Sequence, residues 1–134
     1  MKNIAKIGDI KIYRKVIDDS DLVDFQGETL HKVYSTFALG RDMEWTSRLF
    51  FIDMKEDHEE GVGTFLNIKH HSPAFLQEQV VIKATMVSLV KNELTCDIEV
   101  TVGDRLIATG QTGQKMLTKT RLEEILRKVG TSHE

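Results

Sequence analysis

The feature of this sequence that most constrains its fold is a change in the spacing of apolar residues near Gly61. From about Phe37 to Lys55, nineteen residues contain no proline and one glycine, and their apolar side chains recur with the helical period of about 3.6 residues. After Gly61 the period falls to two, which is typical of strands. The four alternating segments run from about Val62 to Ser72, Val80 to Val90, Leu94 to Val102 and Arg105 to Leu117.

The predicted helix is apolar on more than one side. One stripe should face a sheet, and it consists of Leu39, Met43, Phe50 and Met54. A second apolar group lies on the flank near the arginines, and it consists of Trp45, Leu49 and Ile52. A sheet wrapped around the helix would cover that flank, and so would a partner subunit.

Turn residues between the strand segments predict an antiparallel meander. Lys91-Asn92 and Gly103-Asp104 suit tight hairpins. A further strand is predicted within Lys6 to Val16, and a short closing helix from Thr120 to Val129, with Gly130 as its stop signal. The order strand, loop, long helix, four strands, short helix predicts an α+β fold in which an antiparallel sheet curls around one central helix.

Length and composition predict one domain over residues 1–134, because the chain has one proline, no repeat and no linker-like tract. A net charge of -3, from 18 basic and 21 acidic residues, supplies no excess positive field for nucleic acid. The segment Met1 to Asp9 lacks the apolar core of a signal peptide, and no apolar run approaches the roughly 18 residues of a membrane span. We therefore expect a cytoplasmic protein without nucleic-acid or membrane partners.

The single cysteine, Cys96, excludes an internal disulfide and a cysteine-based zinc cluster. It alternates with apolar strand residues, which favours a buried packing role over a nucleophile. His70 and His71 are neighbours in a predicted strand and point to opposite faces, so they are poorly placed to chelate one ion. His70 shares its face with Leu66 and Ile68 and is the inward candidate, and no metal site is expected.

Three polar residues could carry chemistry, and each also has a structural interpretation. Thr36 lies where the helix begins and could be its N-cap. Glu44 could form an ordinary helix-surface pair with Arg48, four residues on. His70 could be a partly buried histidine bonded to a backbone carbonyl.

Small residues and free amides near the helix start suggest a ligand site. Gly40 and Ser47 leave room beside Glu44, either for a ligand or for close packing against another chain. The free N–H groups of the first helical turn, around Leu39 and Gly40, could bind the oxyanion of a thioester, since the helix dipole favours negative charge there.

The joint spacing of these residues resembles a known family. Thr36 lies eight residues before Glu44, Trp45 follows Glu44, and Gly63-Thr64 precedes His70 by seven residues. With these residues the chain, from about Ile7 to Leu126, resembles the fluoroacetyl-CoA thioesterase-like branch of the hot-dog superfamily.

The resemblance implies a hot-dog fold, a homodimer or a tetramer, and hydrolysis of an acyl-CoA. Glu44 would attack the thioester carbonyl or activate water, His70 would manage protons, and Thr36 would hydrogen-bond the reacting groups. Gly63 would leave space beside the thioester carbonyl. No cofactor is implied beyond the coenzyme A carried by the substrate.

Two departures from the family speak against fluoroacetate specificity. The position of the family's aromatic lid corresponds to Leu30, and its arginine on the last strand corresponds to Gln114. Two other functions stay open from the sequence: a non-catalytic acyl-CoA-binding module, and an acyl-CoA hydratase or dehydratase.

Overall fold

A five-stranded antiparallel sheet carries the long helix in the computed structural model, which describes residues 1–25 and 28–132. The sheet order is β1-β5-β6-β7-β4, and β2 and β3 form a separate hairpin. The strands are β1 Ile10–Val16, β2 Leu22–Phe25, β3 Glu28–Tyr34, β4 Glu59–His70, β5 Gln79–Val90, β6 Glu93–Val102 and β7 Arg105–Thr118. The helices are α1 Thr36–Met54 and α2 Lys119–Ser132.

The predicted α+β arrangement is confirmed, and the predicted long elements agree with α1 and β4–β7 to within a few residues. Two local predictions were wrong. Helix α2 continues past Gly130 to Ser132. The predicted loop before α1 contains the β2–β3 hairpin, whose pairing shifts register twice and therefore leaves no simple alternation in the sequence.

The apolar stripe of α1 forms the core against the sheet. Leu39, Met43, Phe50 and Met54 are at most 2% exposed. Gly110 on β7 lets the helix lie close, because a Cβ there would stand 2.7 Å from Met43 Cε. Cys96 is fully buried in the same core, and burial raises the pKa of its thiol to about 12, which fits the predicted packing role.

Both predicted hairpin turns are present. Lys91 and Gly103 adopt positive φ angles of 57° and 56° in the two-residue turns that connect β5 to β6 and β6 to β7. Such angles suit the right-handed twist of paired strands, so these turns set the register of the meander.

A β-bulge in β4 determines which side chains face α1. Gly63 pairs with Gln114 and Phe65 pairs with Gly113, so Thr64 is an extra residue. One extra residue reverses the alternation of side chains along a strand. Gly63 and His70, seven residues apart, would point to opposite faces of a regular strand, and the bulge brings both to the helix side.

The free edge of β4 and the adjoining flank of α1 expose apolar side chains. Strand β4 ends the order of the described sheet and is twelve residues long. Phe37 is 85% exposed, Trp45 45% and Leu66 41%. The chain's own sheet therefore leaves this flank of α1 uncovered.

Within residues 1–25 and 28–132, the helices lack the combination of length and apolar character that a membrane span requires.

Candidate functional site

The start of α1 is capped by Ser35, which leaves the Thr36 side chain available. Ser35 Oγ accepts a hydrogen bond of 3.0 Å from the Ala38 amide, and the Ser35 amide donates to the Asp21 carbonyl at 2.8 Å. Thr36 is the first helical residue. The alternative that Thr36 is the N-cap was therefore wrong, because its neighbour fills that position.

Thr36 meets His70 at the end of β4. Thr36 Oγ1 lies 3.2 Å from His70 Nδ1. His70 Nε2 is buried and has no hydrogen-bond partner of normal geometry among the described residues. Burial lowers the pKa of His70 below its ordinary value of 6.5, a backbone contact with Ser72 opposes this, and the neighbouring His71 lowers the pKa further.

These contacts indicate a neutral imidazole in which Nδ1 is hydrogen-bonded and Nε2 is not. When Nδ1–H donates to Thr36 Oγ1, Nε2 of His70 is a bare acceptor; when the hydroxyl donates to Nδ1 instead, Nε2 carries the proton. An open cavity of about 280 Å³ adjoins the ring and is lined by Val33, Tyr34, His70, His71, Ser72 and Pro73. An unpaired nitrogen beside a cavity is suited to accept a proton from a bound molecule.

His71 points away from this cluster, as the strand parity predicts. Its Nε2 lies 2.8 Å from Thr109 Oγ1 on β7. Among the residues that the structure describes, no three His, Cys, Asp or Glu side chains are grouped to hold a metal ion.

Glu44 lies against Gly63 on the facing strand. A Cβ at Gly63 would stand 2.5 Å from Glu44 Oε1, so the carboxylate occupies the space that a side chain would fill. The Glu44 side chain is 43% exposed. The Glu44 carboxylate therefore lies against the backbone of β4 and is still accessible to solvent.

A buried polar network lies beside Glu44. The expected pair with Arg48 is present, with Arg48 Nη2 at 3.4 Å from Glu44 Oε1. Arg48 Nε also donates to Gln114 Oε1 at 2.8 Å. Gln114 is 1% exposed and donates from Nε2 to the Glu44 carbonyl at 3.1 Å and to Ser47 Oγ at 3.4 Å. Ser47 therefore belongs to this network and does not leave space for a ligand.

Two predicted substrate contacts are corrected by the structure. The Leu39 amide is not free, because it donates to the Ser35 carbonyl at 2.9 Å, and its side chain is fully buried. Gly40 comes later in the helix, where amides donate to the preceding turn. The space beside Gly40 is filled, since a Cβ there would stand 3.0 Å from both Leu66 Cδ2 and Ile68 Cδ1.

Within the first turn of α1, the amides of Thr36 and Phe37 have no hydrogen-bond partner among the described residues.

The candidate residues form two half-sites in one chain. Thr36 meets His70, and Glu44 meets Gly63. Eight residues of helix separate Thr36 from Glu44, a rise of about 12 Å. Seven residues of strand separate Gly63 from His70, about 20 Å. A single chain therefore brings together two pairs and does not unite Thr36, Glu44 and His70.

The two departures from the family lie in different parts of the fold. Leu30 is a residue of β3 whose side chain lies outside the described part. Gln114 occupies the centre of the polar network beside Glu44. A polar residue at a strand position that faces the helix was the one indication of that role in the sequence.

The solved structures that this fold resembles include several thioesterases. A hypothetical protein of Thermus thermophilus, described as a thioesterase superfamily member, matches with a TM-score of 0.88 and 24% identity over 95% of this chain and 94% of its own. The fluoroacetyl-CoA thioesterase FlK matches with a TM-score of 0.84 and 16% identity over 92% and 96%. A hot-dog-like protein of Thermanaerovibrio acidaminovorans matches with 0.83 and 19% over 91% and 90%.

These likenesses confirm the hot-dog fold. No curated protein matches the chain in sequence. The sequence profile of the fluoroacetyl-CoA-specific thioesterases matches residues 17–120, a span that includes both half-sites. The chain therefore belongs to the fluoroacetyl-CoA-specific thioesterase family.

Proposed function

We propose that this protein is an acyl-CoA thioesterase that uses Thr36, Glu44 and His70. The observation that carries the proposal is the 3.2 Å contact between Thr36 Oγ1 and His70 Nδ1, with Nε2 buried and unpaired among the described residues. Glu44 beside Gly63 supplies a carboxylate at a strand surface with no side chain in the way. Both half-sites lie within the family match.

Each residue has a separate role in the proposed reaction. Thr36 orients the imidazole, and His70 Nε2 takes a proton from water and later passes it to the coenzyme A sulfur. Glu44 either attacks the carbonyl carbon or helps to activate the water. If water attacks, its oxygen bonds to the acyl carbon as the C–S bond breaks. If Glu44 attacks, the C–S bond breaks as an acyl–Glu44 anhydride forms, and the water that His70 deprotonates then cleaves the anhydride to free acid and Glu44 carboxylate. The amides of Thr36 and Phe37 would hold the oxyanion, in place of those of Leu39 and Gly40.

A homodimer completes the site in this proposal. Strand β4 is a free edge of the described sheet, and such an edge readily pairs with another copy. Because Thr64 is an extra residue in the bulge, Gly63 and His70 lie three ladder positions on either side of Asn67. Antiparallel pairing of two copies about Asn67 brings His70 of one copy beside Gly63 of the other. Each site then combines Thr36 and His70 from one copy with Glu44 from the other.

The exposed flank of α1 supports the same dimer. Phe37 and Trp45 are large apolar side chains on the helix that carries both half-sites, and they are 85% and 45% exposed. Apolar surface of this kind gains stability when a second subunit covers it.

The substrate proposed at this stage is an acyl-CoA of unspecified chain. A variant of the similar enzyme FlK has been solved in complex with fluoroacetate and CoA. The predicted cytoplasmic location and the lack of a cofactor beyond the substrate's own coenzyme A belong to the same proposal.

A panel of acyl-CoAs with a thiol-detecting dye tests the activity. Release of free CoA by the wild-type chain, with strong loss in His70→Ala at unchanged fold, is the expected result. Binding without release would instead identify an acyl-CoA-binding module. Loss of enoyl absorbance would identify a hydratase.

Mixing inactive subunits tests whether the sites are shared between copies. Glu44→Gln and His70→Ala are co-refolded in equal amounts and assayed against each variant alone. If each site uses both copies, half of the dimers carry one intact site, and about a quarter of wild-type activity returns. If each site lies in one chain, mixing restores nothing.

A further inference from the structure

We infer that Arg48 is a positioning residue that fixes the Glu44 carboxylate for catalysis, and that Gln114 fixes Arg48. The inference rests on the proposed function, because it gives a role to a neighbour of the proposed catalytic carboxylate. Its basis is the pair of contacts made by one guanidinium group: 2.8 Å from Nε to Gln114 Oε1 and 3.4 Å from Nη2 to Glu44 Oε1.

The hydrogen bonds of Gln114 allow only one orientation of its amide. An arginine has donors and no acceptor, so the group that faces Arg48 Nε must be the amide oxygen. The amide nitrogen then points to the Glu44 carbonyl, an acceptor at 3.1 Å. Because Gln114 is 1% exposed, its hydrogen bonds are shielded from competing water.

Arg48 is held more firmly than most helix-surface arginines. Its stem passes over Gly61, where a Cβ would stand 3.4 Å from both Arg48 Cδ and Arg48 Nε. The side chain is 25% exposed, compared with 62% for Arg121 in an otherwise similar pair on α2. An exposed pair holds neither partner in one geometry, since both side chains stay flexible.

The position of the Glu44 carboxylate depends on Arg48. The Glu44 side chain is flexible and 43% exposed, and its one ionic contact among the described residues is with the guanidinium that Gln114 holds. Arg48 therefore sets where the carboxylate rests beside Gly63. A shift of about 1 Å in a reacting group can cost about 10²-fold in rate.

The first experiment compares Arg48→Gln with Arg121→Gln on the best substrate of the panel. Arg121 is the matched control, because it pairs with Glu124 at 3.3 Å on α2, a helix that contributes no residue to either half-site. Arg48→Gln should lower kcat by about 10²-fold with KM nearly unchanged, and Arg121→Gln should leave both constants unchanged. Equal kcat for Arg48→Gln and the wild type would overturn the inference.

The second experiment tests whether Arg48 acts through Glu44. In the Glu44→Gln background, adding Arg48→Gln should cost almost nothing more, because the group to be positioned is gone. A further loss as large as in the wild-type background would show that Arg48 acts elsewhere. Gln114→Met should reproduce part of the Arg48→Gln loss, and urea unfolding reports separately whether each variant is folded.

A third measurement does not depend on turnover. The carboxyl carbon-13 NMR resonance of Glu44, identified by its disappearance in Glu44→Gln, should move in Arg48→Gln and in Gln114→Met but not in Arg121→Gln. An unmoved resonance in both network variants would overturn the positioning role even if the protein hydrolyses thioesters. Moved resonances in a chain that hydrolyses nothing would uphold the arrangement and reject the proposed function.

Discussion

Two ionic groups that include residues of helix α1 differ in how their carboxylates are used. The first, which we call the sealed cluster, consists of Lys15, Asp21, Tyr34, Arg41 and Asp42. The second is the pair formed by Glu44 and Arg48. The side chains of Asp21 and Asp42 are 0% and 6% exposed, whereas that of Glu44 is 43% exposed.

The carboxylates of the sealed cluster are saturated with donors. Asp21 accepts from Lys15 Nζ at 2.8 Å, from Arg41 Nη2 at 2.6 Å and from the Asp18 amide at 3.0 Å. Burial alone would raise the pKa of Asp21, but the hydrogen bonds from Lys15, Asp18 and Arg41 outweigh it and hold that pKa below its ordinary value of 3.8. Asp42 accepts from the buried hydroxyl of Tyr34.

The sealed cluster serves as a structural anchor, whereas Glu44 is placed as a reactive group. The sealed cluster ties β1, β3 and the start of α1 together, and it leaves its carboxylates no capacity to meet a substrate. In the part of the chain that the structure describes, Glu44 makes one ionic contact, at 3.4 Å, and its carboxylate stays partly exposed beside Gly63. Loss of the first group should therefore change stability, and change at the second should alter turnover.

The largest effect is expected for Asp21→Ala. It leaves Lys15, whose side chain is 15% exposed, with one carboxylate in place of two. Breaking a buried ionic group in this way should lower the free energy of unfolding by about 3 to 5 kcal/mol, measured by urea denaturation. The exposed pair of Lys115 and Glu93 supplies the control, since Glu93→Ala should cost less than about 1 kcal/mol. Equal losses in the two variants would remove the distinction between anchor and surface pair.

The next largest effect is expected for the turnover of Gly63→Ala. Gly63→Ala places a Cβ 2.5 Å from Glu44 Oε1, which is closer than van der Waals contact allows, so the carboxylate must move. We expect kcat/KM to fall by about 10²-fold. The urea midpoint should hardly change, because the displaced atom is the end of a flexible, half-exposed side chain.

Gly130→Ala is the control for this substitution, since nothing lies within 4 Å of a Cβ there. It should keep full activity. Full activity in Gly63→Ala as well would mean that the present position of Glu44 has no bearing on catalysis.

Tyr34→Phe should have a smaller effect on the sealed cluster. It removes one donor to Asp42, while Lys15 and Arg41 still pair with that carboxylate. A loss of about 1.5 kcal/mol in unfolding free energy is expected for a hydrogen bond to a charged group. Because Tyr34 also lines the cavity at His70, kcat measured on the same preparation shows whether the anchor acts on the site. We expect kcat to stay within twofold of the wild type. A larger fall would mean that the sealed cluster also affects catalysis.

The sequence was sufficient to predict the elements with long, regular periods. Helix α1 and strands β4–β7 are each ten or more residues long and keep one period over most of that length, and tight turns separate the last three strands. The β2–β3 hairpin could not be predicted in the same way, because its strands are short and two register shifts interrupt their alternation.

The site was predictable in its residue types and less so in its geometry. Ser35 and Thr36 are both good N-cap residues, and only the backbone decides that Ser35 takes the position. The bulge at Thr64 is invisible to a count of alternating residues, yet it brings Gly63 and His70 to one face. The role of Gln114 depends on contacts 66 and 70 residues away along the chain, with Arg48 and Glu44.

The smallest expected effect is a pH dependence of stability that arises at His70. Burial holds the pKa of the folded imidazole below 6.5, whereas the unfolded chain titrates at the ordinary value. As pH falls below 6.5, the imidazole is protonated in the unfolded state but stays neutral in the folded state. The contribution of His70 to the free energy of unfolding is therefore fully present above pH 6.5 and decreases as the pH falls towards the folded pKa. The effect of His70 can be distinguished from that of the sealed cluster by its pH range, because Asp21 loses its stabilising effect only at pH values below its ordinary pKa of 3.8.

His70→Asn removes the titrating group and should therefore flatten the dependence of Tm on pH between neutral pH and about pH 5. The same neutral imidazole requires the acidic limb of kcat/KM in the wild type to lie below pH 6.5. Parallel Tm profiles in the wild type and His70→Asn would mean that the folded protein does not keep this histidine neutral. His70 would then lose the property that suits it to act as a base near neutral pH.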